Sequence, residues 1–351
     1  MIRVLIVEDS AVIRELLAHI LRSDPAIEVM GTARSGEEAL EAVERAQPDL
    51  ITMDIHMPGI DGLETTRRIM ETCPVPIVIV SGSSDPDEVA ITFRAMEAGA
   101  LAVLRRPAGI GHPEHEKDAR ELIQTVILMS EVKVVRRWPR MRRDAAKPVP
   151  PSPIVDEVGR YPRIVALAAS TGGPPVLQTI LSALPAAFPL PVLVVQHMAE
   201  GFTEAFVGWL ARSCRLPVHV ALQGELILPG HVYFAPDGLQ MRVTSGGRID
   251  LARDERENGV CPSASVLFRS IGEHYGGHAA AGLLTGMGSD GAEDLLTLRK
   301  LGAVTFAQDQ ASSVVHGMPG EAIRLGAAAL VLAPERIAAA LISLAMKKGE
   351  G

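Results

Sequence analysis

The sequence predicts an α/β protein with two domains, each built on a parallel β-sheet. Twice along the 351 residues, short apolar runs alternate with helix-length amphipathic segments, which is the pattern of strands and helices in sheets covered on both faces. The length suits two domains. Aromatic residues make up only 3% of the chain, so small aliphatic side chains are expected to fill both cores.

The first domain is predicted over residues 1 to about 125. Five apolar runs of strand length occur there, and each is followed by a helix candidate. The predicted strands are Val4 to Val7, Glu28 to Gly31, Leu50 to Met53, Ile77 to Val80 and Leu101 to Leu104.

Acidic residues follow two of these strands. Glu8 and Asp9 come directly after the first strand, and Asp54 follows the third. Because the carboxyl ends of parallel strands meet at one edge, the three carboxylates would repel each other unless a hard cation such as Mg²⁺ bound them. Glu8 and Asp9 could instead cap the first helix, but that alternative does not explain Asp54.

Four motifs in this domain are specific enough to suggest a family. They are Val-Glu8-Asp9-Ser, Met53-Asp54-Ile-His-Met-Pro58-Gly-Ile-Asp61-Gly62, Ile-Val-Ser81-Gly82 and Arg-Arg106-Pro107. The segment resembles the flavodoxin-like receiver domains of response regulators. The resemblance implies that Asp54 accepts a phosphoryl group from a histidine kinase, that Glu8, Asp9 and Asp54 bind Mg²⁺, and that Ser81 and Arg106 sense the phosphate.

Two positions depart from the receiver pattern. Arg106 stands where receivers usually have a lysine, and Val103 stands where they usually have an aromatic residue. An arginine can still pair with a phosphate through two parallel hydrogen bonds, but its planar fork is not equivalent to a lysine ammonium.

A basic, proline-rich connector is predicted over residues 126–162. Residues 125–162 carry 8 Lys and Arg against 4 Asp and Glu, whereas residues 1–124 carry 12 against 22 and residues 163–351 carry 14 against 16. The proline spacing favours a solvated linker. A nucleic-acid-binding arm is the alternative.

The second domain is predicted over residues 163–351 as a doubly wound α/β sheet. Its predicted strands are Ile164 to Ala169, Val192 to Gln196, Val218 to Ala221, His231 to Ala235, Ala280 to Thr285 and Val304 to Ala307.

Ser170 follows the first of these strands and precedes Thr171, two glycines and Pro174. The pattern predicts a strand-to-helix corner with Ser or Thr as the helix cap and Pro in the first turn. A hydroxyl at such a corner faces a helix N-terminus and resembles the nucleophile of α/β hydrolases. The alternative is that Ser170 only caps the helix.

Two further strands of this domain end in groups that complement a serine nucleophile. His197 follows the second strand and Asp290 follows the fifth, so a hydroxyl, an imidazole and a carboxylate are predicted at one sheet edge, as in a catalytic triad. Separately, His197 could be a surface residue and Asp290 a helix cap. A dinucleotide site fits poorly, because the loop lacks the G-x-G-x-x-G pattern and the next strand ends in His197 rather than an acid.

Six ordered motifs extend across this domain. They are Ala-Ser170-Thr-Gly-Gly, Val-Gln196-His197-Met198, Tyr-Phe-Ala-Pro-Asp-Gly238, Cys261-Pro-Ser263, Leu-Thr-Gly286-Met287-Gly-Ser-Asp290-Gly291 and Gln308-Asp-Gln-Ala-Ser-Ser-Val-Val-His-Gly317-Met-Pro319. They resemble the catalytic domain of the chemotaxis protein-glutamate methylesterases, the CheB family, with small departures at Ala168 and Gln240.

The resemblance implies a serine hydrolase that removes methyl groups from glutamate methyl esters on methyl-accepting chemoreceptors and also deamidates glutamines there. It implies Ser170 as nucleophile, His197 as base and Asp290 as its orienting partner, with Thr171 and Met287 lining the site and no cofactor for the esterase reaction. Backbone N–H groups near Met287 or at the Thr171 helix start are expected to hold the oxyanion.

Composition and patterning limit the other function classes. Three separated cysteines and the absence of a signal-like start or membrane span predict a cytoplasmic protein. The resemblance implies that it contacts receptor arrays peripherally. A phosphorylation-dependent docking or adaptor protein with a vestigial hydrolase site is the alternative function. A transcription factor fits poorly because the second domain is near-neutral, and no nucleic-acid partner is expected. If the first domain covers the Ser170 edge, deleting residues 1 to about 150 should raise the basal activity.

Overall fold

The computed structural model describes residues 1–82, 93–132, 134 and 161–346. The chain divides between residues 144 and 145 into two compact units, the N-terminal unit and the C-terminal unit. Helix His115–Ser130 extends past residue 125, where the sequence analysis ends the first domain. Most of the predicted connector over residues 126–162 lies outside the described residues.

The N-terminal unit contains a five-stranded parallel sheet, as predicted, and its strand order is β2-β1-β3-β4-β5. Its strands are β1 (Ile2–Val7), β2 (Ile27–Ala33), β3 (Leu50–Met53), β4 (Ile77–Ser81) and β5 (Ala102–Arg105). Its helices are Ala11–Arg22, Gly36–Arg45, Gly62–Thr72 and His115–Ser130, and residues 93–98 are also helical.

The core of this unit explains why its strands read as continuous apolar runs. Helices cover both faces of the sheet, so the last four residues of β1 and all of β3 are buried, and β-branched side chains suit that environment. The chain leaves β1 toward β2 on one side and returns to β3 on the other. The reversal opens a crevice at the carboxyl ends of β1 and β3, where such sheets bind ligands.

The C-terminal unit contains a seven-stranded parallel sheet with strand order β14-β13-β12-β6-β7-β9-β8. Its strands are β6 (Ile164–Ala169), β7 (Val192–Gln196), β8 (Val218–Val220), β9 (Val232–Phe234), β12 (Ala279–Leu283), β13 (Val304–Gln308) and β14 (Leu330–Leu332). Its helices are Gly173–Ala183, Thr203–Ala211, Ala264–Tyr275, Ala292–Lys300, Met318–Arg324 and Pro334–Met346.

Small residues allow close packing at the centre of this sheet. A Cβ on Gly282 in β12 would lie 2.0 Å from the Phe306 ring of β13, so only glycine fits there. The order of the strands reverses between β6 and β12, and the crevice at their carboxyl ends is therefore the expected ligand site.

The sequence analysis missed three strands of this unit. β14 has only three residues, half-buried or exposed, and follows an alanine-rich segment without a strand-like period. β10 (Gln240–Val243) and β11 (Ile249–Ala252) form a separate antiparallel hairpin, which the search for alternating strands and helices does not detect. Along the described part of the chain, no helix combines the length and the apolar character that a bilayer crossing requires.

Candidate active site and phosphorylation site

Ser170 lies at the carboxyl end of β6, at the crevice between β6 and β12. The helix that follows begins at Gly173 and is capped by Gly172 in the left-handed conformation (φ 78°), without a side-chain hydrogen bond. The prediction of a Ser or Thr cap was therefore wrong. Since capping does not use the Ser170 hydroxyl, the reading of Ser170 as only a helix cap loses its support.

The first turn of that helix offers few free N–H groups. The Gly173 amide donates to the Ser170 carbonyl oxygen at 2.8 Å, and Pro174 and Pro175 have no N–H. Proline follows the helix start as predicted, but it removes donors that an anion at the N-terminus would need.

His197 leaves the strand next to the one that carries Ser170. Ala169 pairs with Gln196 in the β6–β7 register, and the His197 amide donates to the Ala169 carbonyl at 2.9 Å. The side-chain Nε2 atom of Gln196 donates to the backbone carbonyl oxygens of Ser170 and His197 at 2.9 and 2.8 Å. Gln196, which the sequence analysis gave no role, thus ties the two strand ends together.

Asp290 lies beyond β12 and contacts His197. The His197 Nε2 atom is 3.0 Å from the Asp290 Oδ2 atom, and only 4% of Asp290 is exposed. Burial raises the pKa of this carboxyl group. Hydrogen bonds from His197, Asn258 and Ser263 and the charge of His197 together lower the pKa by more than burial raises it, so it lies well below the usual range. Asp290 is therefore ionised at neutral pH.

Asp290 does not cap the helix that follows it. Gly291 is the cap of helix Ala292–Lys300. Instead, Asp290 accepts hydrogen bonds from the backbone amide of Ala264 at 2.6 Å and from the Ser263 hydroxyl at 2.7 Å. A carboxylate at the start of helix Ala264–Tyr275 is favoured by the positive end of the helix dipole.

A glycine turn and a second loop enclose the other side of Ser170. A Cβ on Gly286 would lie 2.6 Å from the Ser170 Cβ. The turn can approach Ser170 this closely because Gly286 has no side chain. Thr285 is buried, and its hydroxyl donates to the Thr171 carbonyl at 2.9 Å and accepts from the Val315 amide at 3.0 Å. These bonds fix both loops relative to Ser170.

Thr171 directly follows Ser170, and Met287 lies in the turn after β12. Met287 is 45% exposed. Among the hydrogen bonds of the described residues, neither the Thr171 amide nor the Met287 amide donates one. Both amides are thus free to donate to a ligand.

The three acidic residues predicted to bind a metal converge in the N-terminal unit. One carboxylate oxygen from each of Glu8, Asp9 and Asp54 lies within 4.8 Å of the others. Ser10 occupies the cap position of the first helix without a side-chain hydrogen bond, and Glu8 accepts from the Ser10 amide at 3.1 Å. Glu8 and Asp54 are buried, and Asp9 is exposed.

Arg106 only partly offsets the effect of burial on the carboxylates of this cluster. Burial and the Asp54 charge raise the pKa of Glu8 to about 7 against the opposing effect of Arg106. Burial likewise raises the pKa of Asp54, although Arg106 lowers it in part. The Arg106 Nη2 atom is 3.3 Å from Glu8 Oε2 and 3.6 Å from Asp54 Oδ1. Oxygen ligands that are incompletely neutralised are the donor set that a hard divalent cation fits.

Ser81 ends β4 beside this cluster. It is fully buried, and its hydroxyl has no hydrogen-bond partner in the described part of the chain. Val103 lies in β5, paired with Ile79 of β4. Within the described residues, the N-terminal unit thus has three clustered carboxylates, an arginine and a hydroxyl without a hydrogen-bond partner at one sheet edge.

Comparisons with known proteins agree with both halves of this description. The family model of the CheB methylesterase matches residues 165–341, and that of the response regulator receiver domain matches residues 4–112. The catalytic domain of the Thermotoga maritima CheB methylesterase is similar in structure, with a TM-score of 0.51 and 35% identity over 52% of this chain and 98% of that one.

Two curated relatives match along the whole chain. A protein-glutamate methylesterase/protein-glutamine glutaminase of Nitrosospira multiformis is 61% identical over 100% of this chain and 99% of its own length. One from Geobacter metallireducens is 56% identical over 99% of this chain and 100% of its own length. The chain therefore belongs to the CheB family of protein-glutamate methylesterases, in which a receiver domain precedes the methylesterase domain.

Proposed function

We propose that this protein hydrolyses glutamate methyl esters on chemoreceptors and deamidates glutamines there, under the control of phosphorylation at Asp54. The observation that carries the proposal is the 3.0 Å contact between His197 Nε2 and the buried Asp290 carboxylate. His197 follows the strand adjacent to that of Ser170. The three side chains have the roles of nucleophile, general base and orienting carboxylate.

The ester reaction follows from these roles. The Ser170 oxygen attacks the γ-carbonyl carbon while His197 takes the hydroxyl proton, and a tetrahedral oxyanion forms. The oxyanion collapses, the ester C–O bond breaks, and His197 returns the proton to the departing methoxide as methanol. Water then attacks the glutamyl ester of Ser170 by the same route and releases the free glutamate.

The same residues act on a glutamine side chain. The leaving group is then ammonia rather than methanol. His197 must protonate the amide nitrogen in the tetrahedral intermediate before the C–N bond breaks. Both reactions pass through one glutamyl ester at Ser170, so they are expected to share every residue of the site.

Thr171 and Met287 are the proposed source of the oxyanion donors. Their amides make no hydrogen bond within the described residues, whereas the first turn of helix Gly173–Ala183 offers little, because two of its residues are prolines. Loss of one oxyanion donor typically costs about 10²- to 10³-fold in rate.

The N-terminal unit is proposed to accept a phosphoryl group on Asp54 from a histidine kinase. Glu8, Asp9 and Asp54 would hold Mg²⁺, which neutralises the negative charge of the transferring phosphoryl group. The unpartnered Ser81 hydroxyl can donate to a phosphoryl oxygen, and Arg106 can turn from the carboxylates toward the added charge of about −1.5 to −2. A cytoplasmic location follows from these partners.

The docking or adaptor alternative has less support. A vestigial hydrolase site has no reason to keep a buried, fully hydrogen-bonded carboxylate against an imidazole, since an uncompensated buried charge is costly.

The test is methanol release from membranes that carry methylated chemoreceptors. The full-length protein is expected to release methanol, with membranes lacking methylated receptors as the blank. An absence of methanol above the blank, with and without acetyl phosphate and Mg²⁺, would contradict the proposal.

A further inference from the structure

The Asp290 carboxylate accepts more hydrogen bonds than a triad alone requires. Its Oδ2 atom faces His197 Nε2 at 3.0 Å and the Ala264 amide at 2.6 Å. Its Oδ1 atom accepts from the Ser263 hydroxyl at 2.7 Å and from the Asn258 side-chain amide at 3.0 Å. Donors therefore fix both oxygens and with them the plane of the carboxylate.

Asn258 and Ser263 belong to a loop that is itself anchored. The Ser263 amide donates to the side-chain oxygen of the fully buried Gln240 at 2.8 Å. Asn258 adopts a left-handed backbone (φ 54°), and its side-chain amide also donates to the Ser265 hydroxyl at 3.2 Å. The position of the two donors is set by this loop and not by the sheet edge that carries Ser170 and His197.

The arrangement determines which nitrogen of His197 is the base. An ionised carboxylate can only accept hydrogen bonds, so His197 Nε2 must carry the hydrogen that it shares with Oδ2. Nδ1 is then the nitrogen with a free lone pair. The Ser265 amide also donates to Oδ1, but at 3.4 Å, so the shorter bonds from Ser263 and Asn258 fix this oxygen. Without either of them the carboxylate could rotate about its Cβ–Cγ bond, and the imidazole would no longer be held in one tautomer.

We propose that Asn258 and Ser263 are positioning residues of the reaction, which hold the Asp290 carboxylate so that His197 stays in the Nε2–H tautomer and keeps Nδ1 as its unprotonated nitrogen. The proposal rests on the proposed function for its kinetic consequence. Its consequence for the His197 tautomer does not depend on that function.

Two variants test the proposal in the full-length protein. Ser263→Ala removes the hydroxyl donor, and Asn258→Gly removes the amide while glycine keeps the left-handed backbone without strain. Ser270→Ala is the matched control, because Ser270 is a buried serine in helix Ala264–Tyr275 whose hydroxyl bonds to Leu267 and Val243 instead.

We expect kcat for methanol release to fall about 10- to 100-fold in Ser263→Ala and Asn258→Gly, because misplacement of a catalytic group has costs of this size. KM should change by less than about twofold, since neither residue belongs to the crevice that binds the substrate. Ser270→Ala should lower the unfolding temperature and leave kcat unchanged.

The deciding readout is the tautomer of His197, measured by ¹⁵N NMR of the histidine-labelled protein with the imidazole in its neutral form. The His197 signals are those that disappear in His197→Gln. The wild-type protein and Ser270→Ala should show a protonated Nε2 and a bare Nδ1, and the two test variants should show both tautomers.

A wild-type tautomer in both test variants would overturn the proposal, whatever their rates. If Ser263→Ala does not fold, Asn258→Gly alone decides. Failure of the proposed function is recognised separately, because the wild-type protein itself would then release no methanol.

Discussion

The substitution Asp290→Asn is the sharpest probe of the active site, because the surroundings of Asp290 dictate how an asparagine must sit. The amide nitrogen of the new side chain cannot face the Ala264 N–H, which is 2.6 Å from Oδ2 and cannot accept a hydrogen bond. It is expected to take the place of Oδ1, because the backbone N–H nearest to that atom, from Ser265, is farther away at 3.4 Å. There the Ser263 hydroxyl can rotate and the Asn258 amide can flip to accept from it. The variant should therefore fold with His197 still bonded to an oxygen.

The loss in Asp290→Asn is then mainly the loss of a charge. In the transition state His197 becomes an imidazolium ion, and its Nε2 atom is 3.0 Å from the carboxylate oxygen. Two unit charges at that distance attract by about 5.5 kcal/mol at an effective dielectric constant of about 20. Because each 1.36 kcal/mol changes a rate about tenfold, we expect kcat to fall about 10³- to 10⁴-fold.

The assay is the initial rate of methanol release from methylated receptor membranes at saturating substrate. Asp294→Asn is the matched control, since Asp294 pairs with Arg269 and not with His197. It should retain the wild-type rate. A fall of less than about tenfold in a folded Asp290→Asn protein would refute the argument that the carboxylate stabilises the imidazolium ion.

Three other predictions follow from the geometry. Gly172→Ala should destabilise the protein more than Gly224→Ala in urea unfolding. Both glycines have a positive φ, but only at Gly172 would the new Cβ meet the Val314 Cβ, at 2.5 Å. This overpacking should cost about 1 to 3 kcal/mol of folding stability beyond the backbone strain that both variants share, and equal losses of stability would contradict the prediction. Without Mg²⁺, the stability of the N-terminal unit should fall as pH rises from 4.5 to 7, because Glu8 ionises near 4.5 when unfolded but at about 7 when folded. Mg²⁺ and the substitution Glu8→Gln should each reduce this slope in thermal melts, and a flat wild-type profile would be inconsistent with the raised pKa of Glu8. Acetyl phosphate with Mg²⁺ should change the esterase rate of the wild-type chain but not of Asp54→Asn, and an equal response would exclude Asp54 as the phosphoryl acceptor.

Much of the fold could be predicted because parallel sheets leave a strong signal in the sequence. β1, β3, β6 and β7 are buried on both faces, so they appear as uninterrupted apolar runs. The residues directly after such runs must lie at one sheet edge. That rule, with the family motifs, was the basis for predicting the residues of the two candidate sites.

The features that sequence reasoning missed depend on contacts between distant segments. Gly172 caps its helix at a position where Val314 leaves no room for a side chain, and nothing in the sequence indicates that these two residues meet. Asn258 and Ser263 reach Asp290 across 32 and 27 positions of the chain. The Cys261-Pro-Ser263 motif was one of the motifs that carried the resemblance, but its sequence did not indicate that the serine donates a hydrogen bond to Asp290.

The central claim is that Ser170, activated by His197, attacks the substrate carbonyl in both reactions. The most direct measurement compares methanol release from methylated receptors and ammonia release from receptor glutamines in the wild-type protein, in Ser170→Ala and in Ser289→Ala, an exposed serine in the turn after β12. We expect Ser170→Ala to lose both activities together, by at least about 10³-fold, while Ser289→Ala keeps both. Turnover of either substrate by a folded Ser170→Ala protein at a rate near that of the wild type would contradict the account.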